Sequence, residues 1–271
     1  MKVNSYNDFL NELNGRGDVY VFRGQANSAH VLIPSGLREN HIQYADKQMF
    51  KFVDEMKNTF GFDELTCVEI AQHFALPTRM LDFTYSMDVA LFFACYDPRG
   101  KYTDCDGKVF IFNKTRYENI LKKKNKLSSQ MIRNNKYLYN WLLKYVDKKT
   151  SKNDTKGIDM PIFVDATREF DRLYIQKGLF LLWGMDEIPF EEILKNENID
   201  INELIDTIVI DKDSKLSILE SLKDRNVSED TLYMNIQKIK DLAKDIKYGD
   251  KDWVNGTELK DGYTYYLRLS F

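Results

Sequence analysis

Arg23 stands at the end of the short apolar run Val19-Tyr20-Val21-Phe22 and is followed at once by Gly24 and Gln25. A guanidinium at the mouth of a strand presents a planar fork of donors, a geometry that takes phosphate or carboxylate through two parallel bonds. A second group of polar residues lies downstream. Gln72 and His73 close one apolar-patterned stretch, Thr78, Arg79, Asp82 and Thr84 crowd the next, and Ser86 precedes Val89-Ala90-Leu91-Phe92-Phe93-Ala94. Four polar side chains between Thr78 and Thr84 are a poor way to build a core. A strand of that kind lines a cleft or feeds a polar network. Arg23 and Asp82 would position each other in such a cleft; a purely structural ion pair of Arg23 with Asp82 or Glu39 is the competing account. His73 suits acid–base work, or a simple bond from a helix end to a carbonyl.

The common catalytic signatures are absent. The chain has no GxxxxGK(S/T), GxSxG or HExxH, and Gly15-Arg16-Gly17 fails the dinucleotide fingerprint because Tyr20 stands where the third glycine belongs. Three histidines argue against a multi-histidine metal site, so no metal is expected. Cys67, Cys95 and Cys105 follow no pairing pattern and suit a reducing cytoplasm. No apolar run approaches a membrane span, and MKVNSYNDFL does not read as a signal peptide, so a cytoplasmic protein with no membrane partner is expected.

The elements that must position these residues can be outlined from pattern alone. Residues 5–14 read as a helix with Ser5 and Asp8 at its start and Gly15 at its stop, and residues 19–23 as a strand ending in a turn. Helical periodicity covers 41–60, and a second helix over 64–75 is closed by Leu76-Pro77. TRMLDFT reads as a strand, and SMDVALFFACYD as a buried helix with Ser86 as its N-cap. Asp106-Gly107 turns into the strand KVFIFN; RLYIQKGLFLLWG reads as a strand pair or an interrupted strand, and DTIVID as a short central strand. Helices are expected at 214–224 and 228–247, and YTYYLRLSF alternates like an edge strand. Without regular βαβ alternation, the fold class is α+β: a single domain with a mixed or split β-sheet flanked by helices.

Composition shifts once. Between residues 121 and 156 eleven lysines and arginines stand against two aspartates, a local balance of about +9 that leaves about −12 for the rest of a chain of net charge −3. Lys122, Lys123, Lys124, Lys126, Arg133 and Lys136 are followed by Tyr137, Tyr139, Trp141 and Tyr145. Cations interleaved with aromatics suit single-stranded nucleic acid, through phosphate neutralisation and base stacking. A solvated lysine-rich helix with its rings turned to the core fits the same pattern.

Phe22-Arg23-Gly24, the block Gln72-His73-Phe74-Ala75-Leu76-Pro77-Thr78-Arg79-Met80-Leu81-Asp82-Phe83-Thr84 and the run from Val89 to Ala94 together resemble the FRG domain family. Arg172-Leu173-Tyr174-Ile175-Gln176-Lys177-Gly178-Leu179-Phe180 fits its downstream block, and the resemblance spans roughly residues 5–245. It implies an FRG domain over 1–250, with the basic segment at 121–156 as an insertion and 251–271 as a C-terminal extension.

The chain also resembles, more distantly, mono-ADP-ribosyltransferases of the Arg-Ser-Glu type, whose split sheet begins with an aromatic-Arg-Gly strand. That resemblance implies an ADP-ribosyltransferase-like fold and places Arg23, Thr84 and Gln176 at the catalytic positions. Gln176 falls where a glutamate is expected. A carboxylate about 5 Å from a developing cation at an effective dielectric near 20 contributes roughly 3 kcal/mol, so a glutamine there implies a slower enzyme, a substitute such as Glu169 or Asp171, or a pure binder. Arg23, Gly24, Gln25, His73, Arg79, Phe83 and Ser86 are expected around the cofactor, NAD used as substrate. The implied activity is ADP-ribosyl transfer to a macromolecule, with RNA or single-stranded DNA favoured over protein, as in a bacterial toxin or phage-defence effector with an antitoxin or immunity partner. A non-catalytic nucleotide- or nucleic-acid-binding module and an NAD hydrolase are the alternatives.

Overall fold

The computed structural model describes residues 2–13, 19–124, 160–165, 174–184 and 186–233. Seven strands form one sheet: β1 (Lys2–Val3), β2 (Tyr20–Gln25), β3 (Met80–Thr84), β4 (Gly107–Asn113), β5 (Ile162–Asp165), β6 (Gly178–Leu182) and β7 (Ile205–Ile210). Their order across the sheet is β1-β7-β4-β2-β3-β6-β5. Every neighbouring pair is antiparallel except β1 with β7. The helices are α1 (Tyr6–Leu13), α2 (Ala45–Phe60), α3 (Glu64–His73), α4 (Met87–Cys95), α5 (Lys114–Lys123), α6 (Phe190–Asn196), α7 (Lys215–Lys223) and α8 (Glu229–Leu232). The architecture is α+β, as the irregular order of patterns predicts.

Strand alternation divides the apolar residues between two cores. Val21, Phe110 and Phe112 join Met49 and Val53 of α2, Val68 of α3 and Tyr117 of α5, whereas Val109, Ile111, Ile208 and Ile210 pack with α1, α4 and α7. Successive side chains of one strand point to opposite faces, so one apolar strand such as β4 serves both.

Several boundaries differ from the expectation. β2 does not turn at Gly24, because β4 pairs with all six of its residues, from Tyr20 opposite Asn113 to Gln25 opposite Lys108. The 41–60 pattern becomes helical only at Ala45, and α3 stops at His73 because Ala75 takes a left-handed conformation (φ 59°). The segment after Tyr174 is a single strand, β6, entered through a positive φ at Lys177. Pattern reading passes over β1, α5, β5 and α6, of which β1 and β5 are too short to carry a period. Of the expected 228–247 helix only residues 228–233 lie within the described residues, helical over Glu229–Leu232, and none of the C-terminal extension, YTYYLRLSF included, does. Among the described residues no helix is long and apolar enough to cross a membrane.

The sheet nearly parts in its middle. β2 and β3 share a single register position, Phe22 opposite Thr84. Beyond it β2 continues on β4 while β3 continues on β6. Trp183 N–H donates to Arg79 O and Tyr85 N–H to Lys177 O, so the odd residues of β3 turn their backbone to β6 and the even ones toward β2. By the same logic Lys114 N–H on Val19 O turns the odd residues of β2 to β4. The backbone of Gly24 and that of Asp82 therefore face each other across the gap.

Candidate functional site

Arg23 bridges that gap. Its Nη1 donates to the main-chain carbonyl of Asp82 at 2.6 Å, a group that β2 would bond in a continuous sheet, and lies 4.0 Å from the Asp82 carboxylate. Arg23 Nε is buried with no partner among the described residues. The side chain is only 14% exposed. Burial pushes its pKa down to about 10, Asp82 pulls it back up, and Arg38 pushes it further down. This guanidinium is buried with less anionic compensation than its charge calls for.

The carboxylate side of the gap is held by a chain of side-chain bonds. Thr78 Oγ1 donates to Gln72 Oε1, and Gln72 Nε2 donates to Asp82 Oδ2 at 2.9 Å. Thr78 Oγ1 also accepts from Met80 N–H at 3.0 Å, covering the start of the β3 edge that faces away from β6. Gly36 N–H donates to Thr78 O at 2.8 Å, and a Cβ on Gly36 would lie 2.7 Å from that oxygen, so the turn Ser35–Leu37 closes tightly on the network. The polar crowding from Thr78 to Asp82 is this network.

Positive charge gathers at the far end of β2. Gln25 is 6% exposed, and its Oε1 has no donor among the described residues. Opposite it, Lys108 places Nζ 4.5 Å above the Phe110 ring, and burial lowers its pKa. The His30 ring meets Tyr102 edge-on at 5.1 Å. Burial lowers the His30 pKa first, and Arg38, Lys101, Lys108 and Arg23 lower it further. The loops carrying these residues are tied by Lys215, buried on α7, whose Nζ donates to Ala26 O at 2.7 Å and Tyr102 O at 3.2 Å. Sequence reading missed Lys215. Its signal was its position on the apolar stripe of α7 with Ile218 and Leu222.

The other expected site residues are used differently. Arg79 is turned away from the gap between β2 and β3: Nε and Nη2 bind Asp46 at 3.0 and 2.8 Å, Nη2 also binds Glu187 at 3.0 Å, and Nη1 donates to Gly184 O. Phe83 cannot stack on a cofactor, because it is 3% exposed and packs edge-on against Phe112 and Phe163. Ser86 is the N-cap of α4, accepting from Val89 N–H, and Tyr85 donates to Asp165. Gly24 has a packing reason to be glycine, since a Cβ would lie 1.8 Å from Ala90 O of α4; its backbone, not its lack of a side chain, borders the gap. His73 ends α3 with its ring edge-on to Phe74.

Thr84 and Gln176 meet, but not as a catalytic pair beside Arg23. Thr84 Oγ1 donates to the Gln176 carbonyl at 2.6 Å and accepts from Ser86 N–H at 2.9 Å. Gln176 Nε2 donates to Leu232 O of α8 at 3.1 Å. Thr84 stands directly opposite Phe22 and shares its face of the sheet, whereas the neighbouring Arg23 projects from the other. Both polar groups hold the entry to β6 and α8.

Of the basic segment, Lys122 and Lys123 are exposed near the end of α5, and Lys124 pairs with Glu197 at 2.9 Å and donates to its carbonyl. Lys124 is thus a structural contact, not a free cation. Lys126, Arg133, Lys136 and the aromatics from Tyr137 to Tyr145 lie outside the described residues, as do Glu169 and Asp171.

No curated protein and no solved structure matches the chain. Residues 18–103 match the family model of the FRG domain. That stretch carries Arg23, the chain from Gln72 to Asp82, the split between β2 and β3 and the helix packed on Gly24. Through this segment the chain is similar to the FRG domain family.

Proposed function

We propose that the gap between β2 and β3 binds NAD and that the chain transfers its ADP-ribose to a macromolecular acceptor. One observation carries the reading: Arg23 is a buried, under-compensated guanidinium set where the sheet splits. An anion there would supply the missing charge, and a pyrophosphate fits a fork with an uncommitted Nε. Lys108, Arg38 and Lys101 add positive potential to the same end of β2. The backbone groups of Gly24 and Asp82 offer amide-type donors and acceptors to a flat carboxamide. Because nicotinamide in NAD is already a cationic leaving group, little acid catalysis is needed; binding, orientation and charge stabilisation suffice.

For the acceptor we favour nucleic acid, RNA or single-stranded DNA, over protein, on the basic composition that begins at Lys122 and Lys123. Such an activity suits a toxin or phage-defence effector restrained by a partner protein. A binding-only reading has its own support, since the Thr84 hydroxyl and Gln176 amide are both engaged with main-chain partners. Incubation with NAD labelled in the adenylate half, with total RNA, single-stranded DNA and lysate protein offered separately, decides among these. Label on nucleic acid supports the proposal, label on protein corrects the acceptor, free ADP-ribose alone indicates a hydrolase, and saturable binding without turnover indicates a binder.

A further inference from the structure

We infer that the catalytic carboxylate of this cleft is Asp82, positioned by Gln72; the inference rests on the NAD-using reading above. Position 176 cannot supply a carboxylate, and the Gln176 amide is turned to Leu232 O. The Asp82 side chain is 56% exposed and sits 4.0 Å from Arg23 Nη1, on the strand that borders the split. Oδ2 accepts from Gln72 Nε2 at 2.9 Å and is the oxygen nearest Arg23 Nη1, while Oδ1 has no donor among the described residues. Asp46, Glu187 and Glu191 are committed elsewhere: Asp46 and Glu187 neutralise Arg79, and Glu191 accepts from Leu32 N–H at 3.0 Å. Asp82 is the carboxylate whose charge Arg23 feels.

The arrangement of Thr78, Gln72 and Asp82 is what a carboxylate needs if it is to stay aimed without losing charge. The Gln72 amide donates to one oxygen, Thr78 donates to the far end of that amide, and the Arg23 guanidinium stands 4.0 Å away, beyond hydrogen-bond reach of the carboxylate. A nucleotide whose pyrophosphate lies on Arg23 would bring its nicotinamide ribose past Asp82. The bond between C1′ and the nicotinamide nitrogen then breaks, and its electron pair leaves with that nitrogen to give neutral nicotinamide. A lone pair of the acceptor oxygen or nitrogen forms the new bond to C1′, and the acceptor's proton passes to water. Asp82 forms no bond; it faces the ribose and offsets the positive charge at C1′.

The test compares Asp82→Asn and Asp82→Glu in the full chain, with NAD binding by calorimetry, transfer kinetics and melting temperature measured for each. Asparagine can still accept from Gln72 through its amide oxygen, so the network and fold should be kept. The expected result is NAD affinity and KM within about threefold of the parent while kcat falls about a hundredfold, the effect of removing a carboxylate near a developing cation. Asp82→Glu, which keeps the charge on a longer arm, should recover at least a tenth of the parent kcat. Unchanged turnover in Asp82→Asn overturns the inference and leaves the NAD reading standing. Loss of NAD binding together with turnover also overturns it, because Asp82 would then act only through Arg23. If Asp82→Asn does not fold, an Asp82→Glu that folds yet is inactive overturns it as well. A parent protein that neither binds nor consumes NAD sinks the reading itself, a distinct result.

Discussion

Arg23 is where energetics and function separate most cleanly. Its pKa is depressed to about 10 because burial outweighs the help of Asp82. In the unfolded chain the group returns to its ordinary, higher value, so below pH 10 the folded protein carries the burden of an under-paired charge, relieved only as pH rises above 10. A shift of that size is at most about 3 kcal/mol. Arg23→Met should therefore leave the melting temperature unchanged or raise it by a few degrees, while NAD affinity falls at least a hundredfold. Arg23→Lys should bind nearly as poorly, because a point charge cannot replace a two-pronged donor. A melting temperature lowered by ten degrees in both variants would make Arg23 a structural ion pair instead.

Among the elements, the decisive feature is a strand shared unequally. β2 gives β4 six pairs and β3 one, and α4 lies so close over β2 that Gly24 admits no Cβ. Gly24→Ala must push α4 off the sheet and should cost about 1–3 kcal/mol, read by denaturant unfolding, with NAD binding weakened as the β2 backbone beside Arg23 shifts. Because the Asp82 main chain faces the split, its amide should exchange with solvent faster than those of Leu81 and Phe83, and bound NAD should slow it. The loops beyond β2 supply a pH signal. His30 has a folded pKa below its ordinary 6.5, from burial first and then from four cations. As pH falls below 6.5 the unfolded chain takes up the proton first, so His30's contribution to stability is present above that value and lost as pH falls through the folded one. An anion on Arg23 should raise the His30 pKa, visible as a displaced NMR titration of its ring protons; an unmoved curve in saturating NAD would place the ligand elsewhere.

Over the whole molecule, two cores back one sheet, and Arg79 fastens the half that carries β3. It joins α2 through Asp46 and the segment after β6 through Gly184 and Glu187. Its side chain is only 10% exposed, so Arg79→Ala removes bonds to charged and main-chain partners on two other segments and should cost about 1.5–3 kcal/mol. The NAD affinity of the folded fraction should stay within about threefold of the parent, whereas a cofactor-binding arginine would lose affinity without losing stability. Arg23 and Arg79 thus form a matched pair, one expected to fail in binding and the other in folding.

The local chemistry of most elements was legible from residue order: the Ser5 and Ser86 starts, the apolar periods of α2 and α4, and the run that becomes β4 all depend on neighbours a few positions away. So was the anomaly of polar residues from Thr78 to Thr84, because a core strand cannot bury unpaired polar groups. Which of those groups border the gap between β2 and β3 depended on pairing between distant strands. Register with Phe22 sends Thr84 to one face and Arg23 to the other, and the loss of pairing after that point frees the Asp82 carbonyl for Arg23. Asp46, Glu187 and Gly184 take Arg79 away from the cleft across separations of 33, 108 and 105 residues. A sequence states what each side chain can donate or accept; only the packed sheet determines which partner is near enough to take it, because such bonds form over about 3 Å between residues that the chain keeps far apart.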